Sequence, residues 1–505
     1  MDTFLRNYWS IYYNFLQDFE TIIYRDYSLA YFCHLPSYLL PNKPLLSKLQ
    51  QTSFYTTKWG KQITHQRDIQ QLFTEFTEKH RNPLKKSDGK VVIHVDKLLR
   101  FPNPSLQQFN HKKTILLSNG NKQRFTKTIS TQPLSTKQYR KSTRAVPLTN
   151  TILIKKGKKT RTTVSNVKIS NQFVSIYLSD FAQKNTDAIN IITNQAKHML
   201  NERSNHPLYK ENAFRKWFIN NLSAVIQYID IAEKFFRKMN VACLVVSTTH
   251  SYINRILTVV ASKFGIPTIC MQHGIIASEL GYIPKIATID AVYGSFEKKF
   301  FQNIGVKKEA IEIIGHPRFD QIPLLSLPKG KIQKQLGLDT RQKTVLIAVR
   351  GSDDIDRWRT FIQELHHRNK CNILIKNYPS SEPHPLTKEF SYVYPTHPYH
   401  LYQLFSQIDV VVAYPSTVGI EAMINDKTVF ILDKITNGYT NYYGLLQSLT
   451  QSSPKVLAQL VANYFQEPTF RNKANEIRQA FVKERYPNHY ASTKQLLACI
   501  NRLTK

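Results

Sequence analysis

Residues 241–271, VACLVVSTTHSYINRILTVVASKFGIPTICM, decide the fold class of this chain. Val241–Val246 is a continuous apolar run, typical of a strand buried on both faces, and residues 251–264 follow a helical apolar spacing. A turn at Gly265-Ile266-Pro267 separates this helix from a second apolar strand at Thr268–Met271. Strand, helix and strand in this order predict a βαβ unit, whose strands lie parallel in one sheet.

The same alternation continues on both sides of a stretch at residues 323–330, whose Pro and Gly content is typical of a linker. Two successive α/β runs predict two doubly wound, Rossmann-like domains that face each other across a cleft. A chain of 505 residues is also too long for one hydrophobic core. We therefore expect four parts: a helical, aromatic-rich N-terminal extension (residues 1–85), an acceptor domain (86–322) with a basic insertion (101–170), a nucleotide-donor domain (323–475), and a C-terminal helical segment that packs back on the interface (476–505).

The charge is strongly positive and unevenly distributed. Lys and Arg number 69 against 35 Asp and Glu, a formal net charge of +34, and residues 101–170 contain neither Asp nor Glu. Such a segment must face solvent or meet an anionic partner, and nucleic acid, an anionic membrane surface or an acidic polymer each fit. A solvated basic face or loop is the alternative without a partner.

The chain has no clear secretory signal and no uninterrupted apolar run long enough for a membrane-spanning helix. Its five cysteines are scattered, without a CxxC pair, which argues against a zinc site or a disulfide framework and suits a reducing compartment. We expect a cytoplasmic protein, with peripheral contact at the inner face of the cell membrane as an option.

The strongest candidate for a phosphate site is Tyr414–Ala422, with sequence YPSTVGIEA, directly after a predicted strand. Ser416 or Thr417 is a suitable N-cap, so the helix that follows would present free N–H groups and the positive end of its dipole to a phosphate. Glu421 lies about one turn further, roughly 6 to 8 Å along the axis, where a carboxylate would reach the ribose of a nucleotide. A capped helix with Glu421 in a surface salt bridge explains the same pattern.

Candidates in the first domain also follow predicted strands, where open parallel sheets bind ligands. His273 can act as a general base toward an acceptor hydroxyl, and Glu279 is the alternative for that role. His316 and Arg318 suit a pyrophosphate leaving group, and Arg350 adds a cation at a strand end of the second domain. Either histidine could instead be purely structural.

A metal site and a bound cofactor are not expected. The acidic residues Asp353, Asp354 and Asp356 are better explained by the start of a predicted helix, where carboxylates complement the dipole. Without a metal, the helix end and the Arg and His side chains must stabilise the departing phosphate. The nucleotide-activated donor is then a co-substrate.

Three segments resemble those of one enzyme family: residues 265–274 (GIPTICMQHG), 315–320 (GHPRFD) and 416–422 (STVGIEA). They look like the matching motifs of GT-B glycosyltransferases of capsule-polysaccharide assembly, the Kdo-adding and polysialic-acid types among them. They are more distantly similar to CDP-glycerol glycerophosphotransferases of teichoic acid synthesis and to non-hydrolysing UDP-GlcNAc 2-epimerases. The resemblance covers about residues 241–432.

The resemblance implies a role for each matching residue. His316 would contact the donor phosphate, Ser416 and Thr417 would hold phosphate oxygens, Glu421 would meet the ribose, and His273 would line the catalytic cleft. This chain departs from the family at residues 376–379, where it has KNYP in place of lysine, one residue, then His-Pro.

The expected function is transfer of a sugar from a CMP-, CDP- or UDP-linked donor to an envelope or capsular polysaccharide, without a metal. The basic segment would hold an anionic acceptor polymer or the membrane surface that carries a lipid-linked one. A CDP-polyol phosphotransferase and a sugar-nucleotide epimerase are the alternatives among enzymes. A basic nucleic-acid-binding protein fits the charge but leaves the cleft motifs unexplained.

Overall fold

Two parallel β-sheets organise the chain. The computed structural model describes residues 1–55, 60–120, 172–378, 380 and 382–505, so residues 121–170 of the predicted basic insertion lie outside the described residues. All strand pairs within the two large sheets are parallel. The predicted pair of α/β domains is confirmed.

The first sheet has seven described strands, and its order across the sheet is Val174–Tyr177, Thr114–Ser118, Lys90–His94, Val241–Val246, Thr268–Met271, Ile289–Val292 and Ile311–Ile313. In chain order this is 3-2-1-4-5-6-7, the doubly wound arrangement. The described α-helices that accompany it from residue 103 onward are Asn103–Leu106, Thr186–Glu202, Asn212–Lys238, Tyr252–Lys263 and Ser295–Asn303.

The second sheet has six described strands, in the order Val393–Pro395, Asn372–Asn377, Thr344–Val349, Val410–Ala413, Thr428–Leu432 and Thr450–Gln451. In chain order this is 3-2-1-4-5-6, the Rossmann order. Its described α-helices are Lys331–Leu336, Ile355–Arg368, Leu386–Glu389, Leu401–Phe405, Thr417–Ile424, Pro454–Gln466 and Pro468–Arg485. The predicted boundary between residues 475 and 476 falls within the last of these helices.

The aromatic N-terminal region is part of the first domain's core. Its helices are Thr3–Asp18, Pro36–Leu39, Lys43–Leu49 and Gln66–Lys79, with a short antiparallel pair at Ile23–Tyr24 and Tyr27–Ser28. Phe15 is fully buried and contacts Phe214 and Phe218 on the long helix of the first domain, with ring centroids 6.2 and 5.3 Å away. Burial of large aromatic side chains contributes strongly to core stability. This region therefore has a packing role.

The C-terminal helix Ser492–Thr504 returns to the first domain, where Leu496 and Cys499 pack into one core with Ile93 and Val245 of the first sheet. The last helix thus ties the end of the chain to the opposite domain. All five cysteines are free and buried. Within the described ranges, no helix is long and apolar enough to cross a membrane.

Candidate functional site

The order of the strands in the two sheets indicates where the cleft lies. In doubly wound sheets, ligands bind beyond the carboxyl ends of the strands at the point where the order reverses. That point lies between Lys90–His94 and Val241–Val246 in the first sheet, and between Thr344–Val349 and Val410–Ala413 in the second. The loops that begin at residues 95, 247, 350 and 414 therefore form the candidate site.

A buried ion pair joins the two halves of this site. Arg318 Nη2 lies 2.6 Å from Glu421 Oε1, and the two side chains are only 9% and 7% exposed. The hydroxyl of Tyr402 also hydrogen-bonds the Glu421 carboxylate. Burial raises the pKa of Glu421, while Arg318 opposes this shift. Glu421 is therefore engaged by Arg318, a partner that sequence spacing did not predict.

Arg318 keeps unused donor capacity. Its Nε atom is buried and has no hydrogen-bond partner among the residues that the structure describes. The Glu421 carboxylate raises the pKa of Arg318, although burial opposes this effect, so the guanidinium stays charged. Arg318 therefore binds Glu421 and retains one donor that no described residue uses.

The structure places His316 in the interior, with 1% of its surface exposed. Its Nδ1 accepts a hydrogen bond from the backbone N–H of Arg318 at 3.0 Å, and its ring also bonds the backbone of Leu99. Burial, followed by the charge of Arg318, lowers the pKa of His316 well below its usual value. The neutral His316 ring thus links the turn that carries Arg318 to the loop after strand Lys90–His94, which contains Leu99.

The helix Thr417–Ile424 begins at the predicted position. Ser416 is its N-cap residue in extended conformation, but within the described part of the chain its side chain makes no capping hydrogen bond. Thr417 Oγ1 instead accepts a hydrogen bond from the backbone N–H of Ile275 in the first domain at 3.4 Å. The amino end of this helix, with its partial positive charge, therefore lies against the loop that carries His273.

His273 is partly exposed and its ring is held in place. The ring stacks on Tyr282 with centroids 4.8 Å apart and planes 8° from parallel, and it hydrogen-bonds the backbone of Ser247. Burial lowers the pKa of His273 to about 4, with a smaller contribution from Lys285. The imidazole is therefore neutral near pH 7, with one ring nitrogen able to accept a proton.

Gly274 permits the close approach of the two domains. A Cβ atom at this position would lie 3.2 Å from Tyr282 Oη and 3.3 Å from Thr417 Oγ1. Both distances are tighter than ordinary packing contacts. A residue without a side chain therefore suits the position between His273 and the helix of the second domain.

Glu279 is anchored by the N-terminal region. Its two carboxylate oxygens accept hydrogen bonds from Trp9 Nε1 at 2.5 Å and Gln66 Nε2 at 2.7 Å, and the residue is 5% exposed. Burial raises the pKa of Glu279, and these two hydrogen bonds oppose the shift. Both oxygens of the Glu279 carboxylate therefore have a hydrogen-bond partner, whereas the neutral His273 ring still has one nitrogen that can accept a proton.

Arg350 follows the first strand of the second sheet and is exposed. Asp354 precedes the helix Ile355–Arg368, as the dipole interpretation requires, and forms an ion pair with Lys434. Among the described residues, no group of three or more His, Cys, Asp or Glu side chains is placed to hold a metal ion.

Sequence reasoning missed Asp96 and Arg100, in the loop after the first strand. Asp96 Oδ1 accepts hydrogen bonds from the backbone N–H groups of Leu98 and Leu99, and its Oδ2 accepts one from Ser247 Oγ at 2.5 Å. This turn directs Arg100 toward the second domain, in a left-handed backbone conformation with φ 49°. A left-handed non-glycine residue leaves no local sequence signal.

Arg100 adds a second cation to the site. Burial and the neighbouring charge of Arg318 lower the pKa of Arg100, and Tyr378 and Glu421 lie close enough to oppose this shift. Arg100 as a whole residue is nevertheless exposed. Two arginines facing one carboxylate leave a net positive charge, which favours an anionic ligand.

No protein-family model matches the sequence, and no curated protein matches it. Among solved structures, the chain is similar to UDP-GlcNAc 2-epimerase from Neisseria meningitidis bound to UDP-GlcNAc (TM-score 0.49, 10% identity, 82% of this chain and 99% of that chain). It is also similar to the wall teichoic acid polymerase TagF (TM-score 0.44, 13% identity, 86% and 93%) and to HepE from Anabaena in complex with UDP and glucose (TM-score 0.45, 11% identity, 82% and 99%). The fold assignment itself rests on the strand orders described above.

Proposed function

We propose that this protein is a GT-B glycosyltransferase that moves a sugar from a CMP-, CDP- or UDP-linked donor to an envelope or capsular polysaccharide acceptor. The observation that supports this most directly is the contact between the loop that carries His273, from the first domain, and the N-terminus of helix Thr417–Ile424, from the second. A proton acceptor and an anion-binding helix end on opposite walls of one cleft suit group transfer from a phosphorylated donor.

The donor's phosphates would lie between this helix end and the two arginines. Arg100 is an exposed residue with a positive charge, and Arg318 Nε is a buried donor without a partner among the described residues. Charge-assisted hydrogen bonds from arginine to phosphate are short and geometrically specific. As the bond from the sugar to the phosphate breaks, these groups would stabilise the negative charge that develops on the leaving group.

His273 would act as the general base. In the proposed reaction the acceptor hydroxyl loses its proton to the imidazole while its oxygen bonds to the sugar carbon, and the nucleotide departs with the bonding electrons. Stacking on Tyr282 and the hydrogen bond to Ser247 fix the ring orientation, which reduces the entropy that must be lost at the transition state. Glu279 is not assigned this role, because Trp9 and Gln66 already bind its carboxylate.

A nucleotide-binding panel tests this function first. CMP, CDP, UDP and GDP are added to the full chain, and the midpoint of thermal unfolding is followed as a function of concentration, since a ligand of the folded state raises it. We expect at least one pyrimidine nucleotide to stabilise the wild type, and less stabilisation of Arg100→Ala. Lys97→Ala, an exposed cation on the same loop, is the matched control. If none of the four nucleotides raises the midpoint, the proposal is wrong.

A product assay then separates transfer from epimerisation. UDP-GlcNAc incubated with the protein alone should be recovered as the same sugar, whereas an epimerase would convert it without an acceptor. Salt-steep RNA binding in the absence of any nucleotide stabilisation would instead favour the nucleic-acid alternative.

A further inference from the structure

A cavity of about 270 Å³ lies where helix Ser295–Asn303 of the first domain meets the segment around Tyr439 in the second. Its lining combines three aromatic residues, Phe296, Phe300 and Tyr439, with the charged residues Glu279 and Lys299 and two further polar residues. Aromatic side chains combined with a few polar groups are characteristic of pockets for small polar ligands. The donor site described above uses none of these side chains.

Contacts between the domains hold the cavity walls. Ser278 Oγ donates to the carbonyl of Asn437 at 2.8 Å, and the N–H of Glu279 donates to the carbonyl of Gly438 at 3.0 Å. Gly438 has φ +72°, and a Cβ there would lie 3.0 Å from Ser278 Oγ. The cavity therefore depends on this close approach of the two domains.

Glu279 provides a fixed acceptor in the wall. Its carboxylate is almost fully buried, and each oxygen accepts one hydrogen bond, from Trp9 or Gln66. A carboxylate has about four acceptor positions, so it can accept further hydrogen bonds. Two residues of the N-terminal region, Trp9 and Gln66, thus hold in place a carboxylate in the wall of a cavity that also has three aromatic residues.

The cavity is joined to the proposed base by a short segment. Tyr282, whose ring stacks on His273, has its backbone N–H bonded to the carbonyl of Glu279 at 3.2 Å. Tyr282, which orients His273, and Glu279, which lines the cavity, therefore belong to one turn.

We propose that this cavity binds a sugar residue of the acceptor, at a distance from the hydroxyl that reacts. Phe300 and Tyr439 pack against the apolar face of the sugar ring, and Glu279 accepts a hydrogen bond from one of its hydroxyl groups. This inference rests on the proposed function, because it requires a saccharide acceptor.

Saturation-transfer difference NMR with N-acetylglucosamine, diacetylchitobiose and maltose at millimolar concentration tests the site on the full chain. The wild type should give a signal with at least one of these saccharides. Phe300→Ala and Phe300→Leu should bind it about fivefold to tenfold more weakly, because the flat ring is lost. Phe300→Leu keeps most of the apolar volume and so guards against a folding defect. Ile191→Ala, which truncates a side chain 68% exposed on another helix, should bind like the wild type.

Nucleotide stabilisation of the same variants separates this inference from the proposed function. UDP or CDP should stabilise the Phe300 variants as much as the wild type. Absence of a saccharide signal in the wild type, or equal signals in folded Phe300 variants and wild type, overturns the inference while leaving the donor site untouched. A saccharide signal that depends on Phe300, without any nucleotide binding, would retain the cavity and reject the transferase.

Discussion

Removing one partner of the Arg318–Glu421 pair should destabilise the protein strongly, whereas removing both should not. At 2.6 Å, in a medium with an effective dielectric constant of about 20, two unit charges attract by about 6 kcal/mol. Desolvation of two buried ions costs several kcal/mol each, so the intact pair contributes little net stability. A single substitution leaves an unpaired buried charge, and we expect Glu421→Leu or Arg318→Met to cost about 3–5 kcal/mol.

The two single variants should also differ from each other. In Arg318→Met, Arg100 remains near Glu421 and offsets part of its charge, whereas Glu421→Leu leaves two neighbouring arginines without a carboxylate. We therefore expect Glu421→Leu to be the more damaging change. The double variant Arg318→Met/Glu421→Leu should be more stable than either single variant, so its loss should fall well below the sum of the two single effects.

Urea unfolding followed by tryptophan fluorescence measures these differences. Trp358 is fully buried in the second domain's core and reports on the domain that carries Glu421. Additive single effects, within about 0.5 kcal/mol, would show that the pair is not energetically coupled. A larger loss for Arg318→Met than for Glu421→Leu would refute the proposed role of Arg100.

Three further outcomes are expected. Arg100→Ala should weaken binding of a nucleoside diphosphate about 10- to 150-fold in calorimetric titration, because a charge-assisted hydrogen bond worth about 1.5–3 kcal/mol is lost. An unchanged Kd would contradict a contact between Arg100 and the phosphates. Because burial lowers the pKa of His273 to about 4, this proposed base is already neutral above that pH, so the acid limb of kcat/KM should lie near 4. A limb near 6.5 in folded protein would exclude the environment described for His273. Gly419→Ala should lower the free energy of unfolding in urea by about 1–3 kcal/mol, because the new Cβ would lie 2.4 Å from Tyr443 Oη. Adding Tyr443→Phe should recover part of that loss, and no recovery would show that the strain lies elsewhere.

Much of the second domain's framework was predictable from local pattern. The strand Val410–Ala413 lies directly before Tyr414, where a strand is predicted, and helix Thr417–Ile424 begins after the predicted N-cap residue Ser416. A buried parallel strand is recognisable because both of its faces are covered, so the whole run is apolar. Such a signal needs only neighbouring residues.

The candidate site was predictable in part. Each predicted residue was found at a strand end or on the turn or helix that follows, since strand ends can be located from sequence. The partners of those residues could not be found in this way: Glu421 pairs with Arg318, 103 positions away, and Glu279 bonds Trp9, 270 positions away. Side-chain spacing left two options for Glu421, a contact with the ribose of a nucleotide or a surface salt bridge, whereas the structure places it in a buried ion pair with Arg318.

The sequence by itself determined two α/β domains, the bounds of the strands Val241–Val246 and Thr268–Met271, and the helix start within the motif at residues 416–422, because apolar periodicity and helix caps are properties of adjacent residues. Only the tertiary structure decided that the loop carrying Asp96 and Arg100 reaches the cleft. The order of strands within a sheet is set by long-range packing, and it is this order that brings the first strand beside Val241–Val246, about 150 residues later in the chain. Packing across the interface then decided which charges are buried and paired, and so which remain available to a ligand.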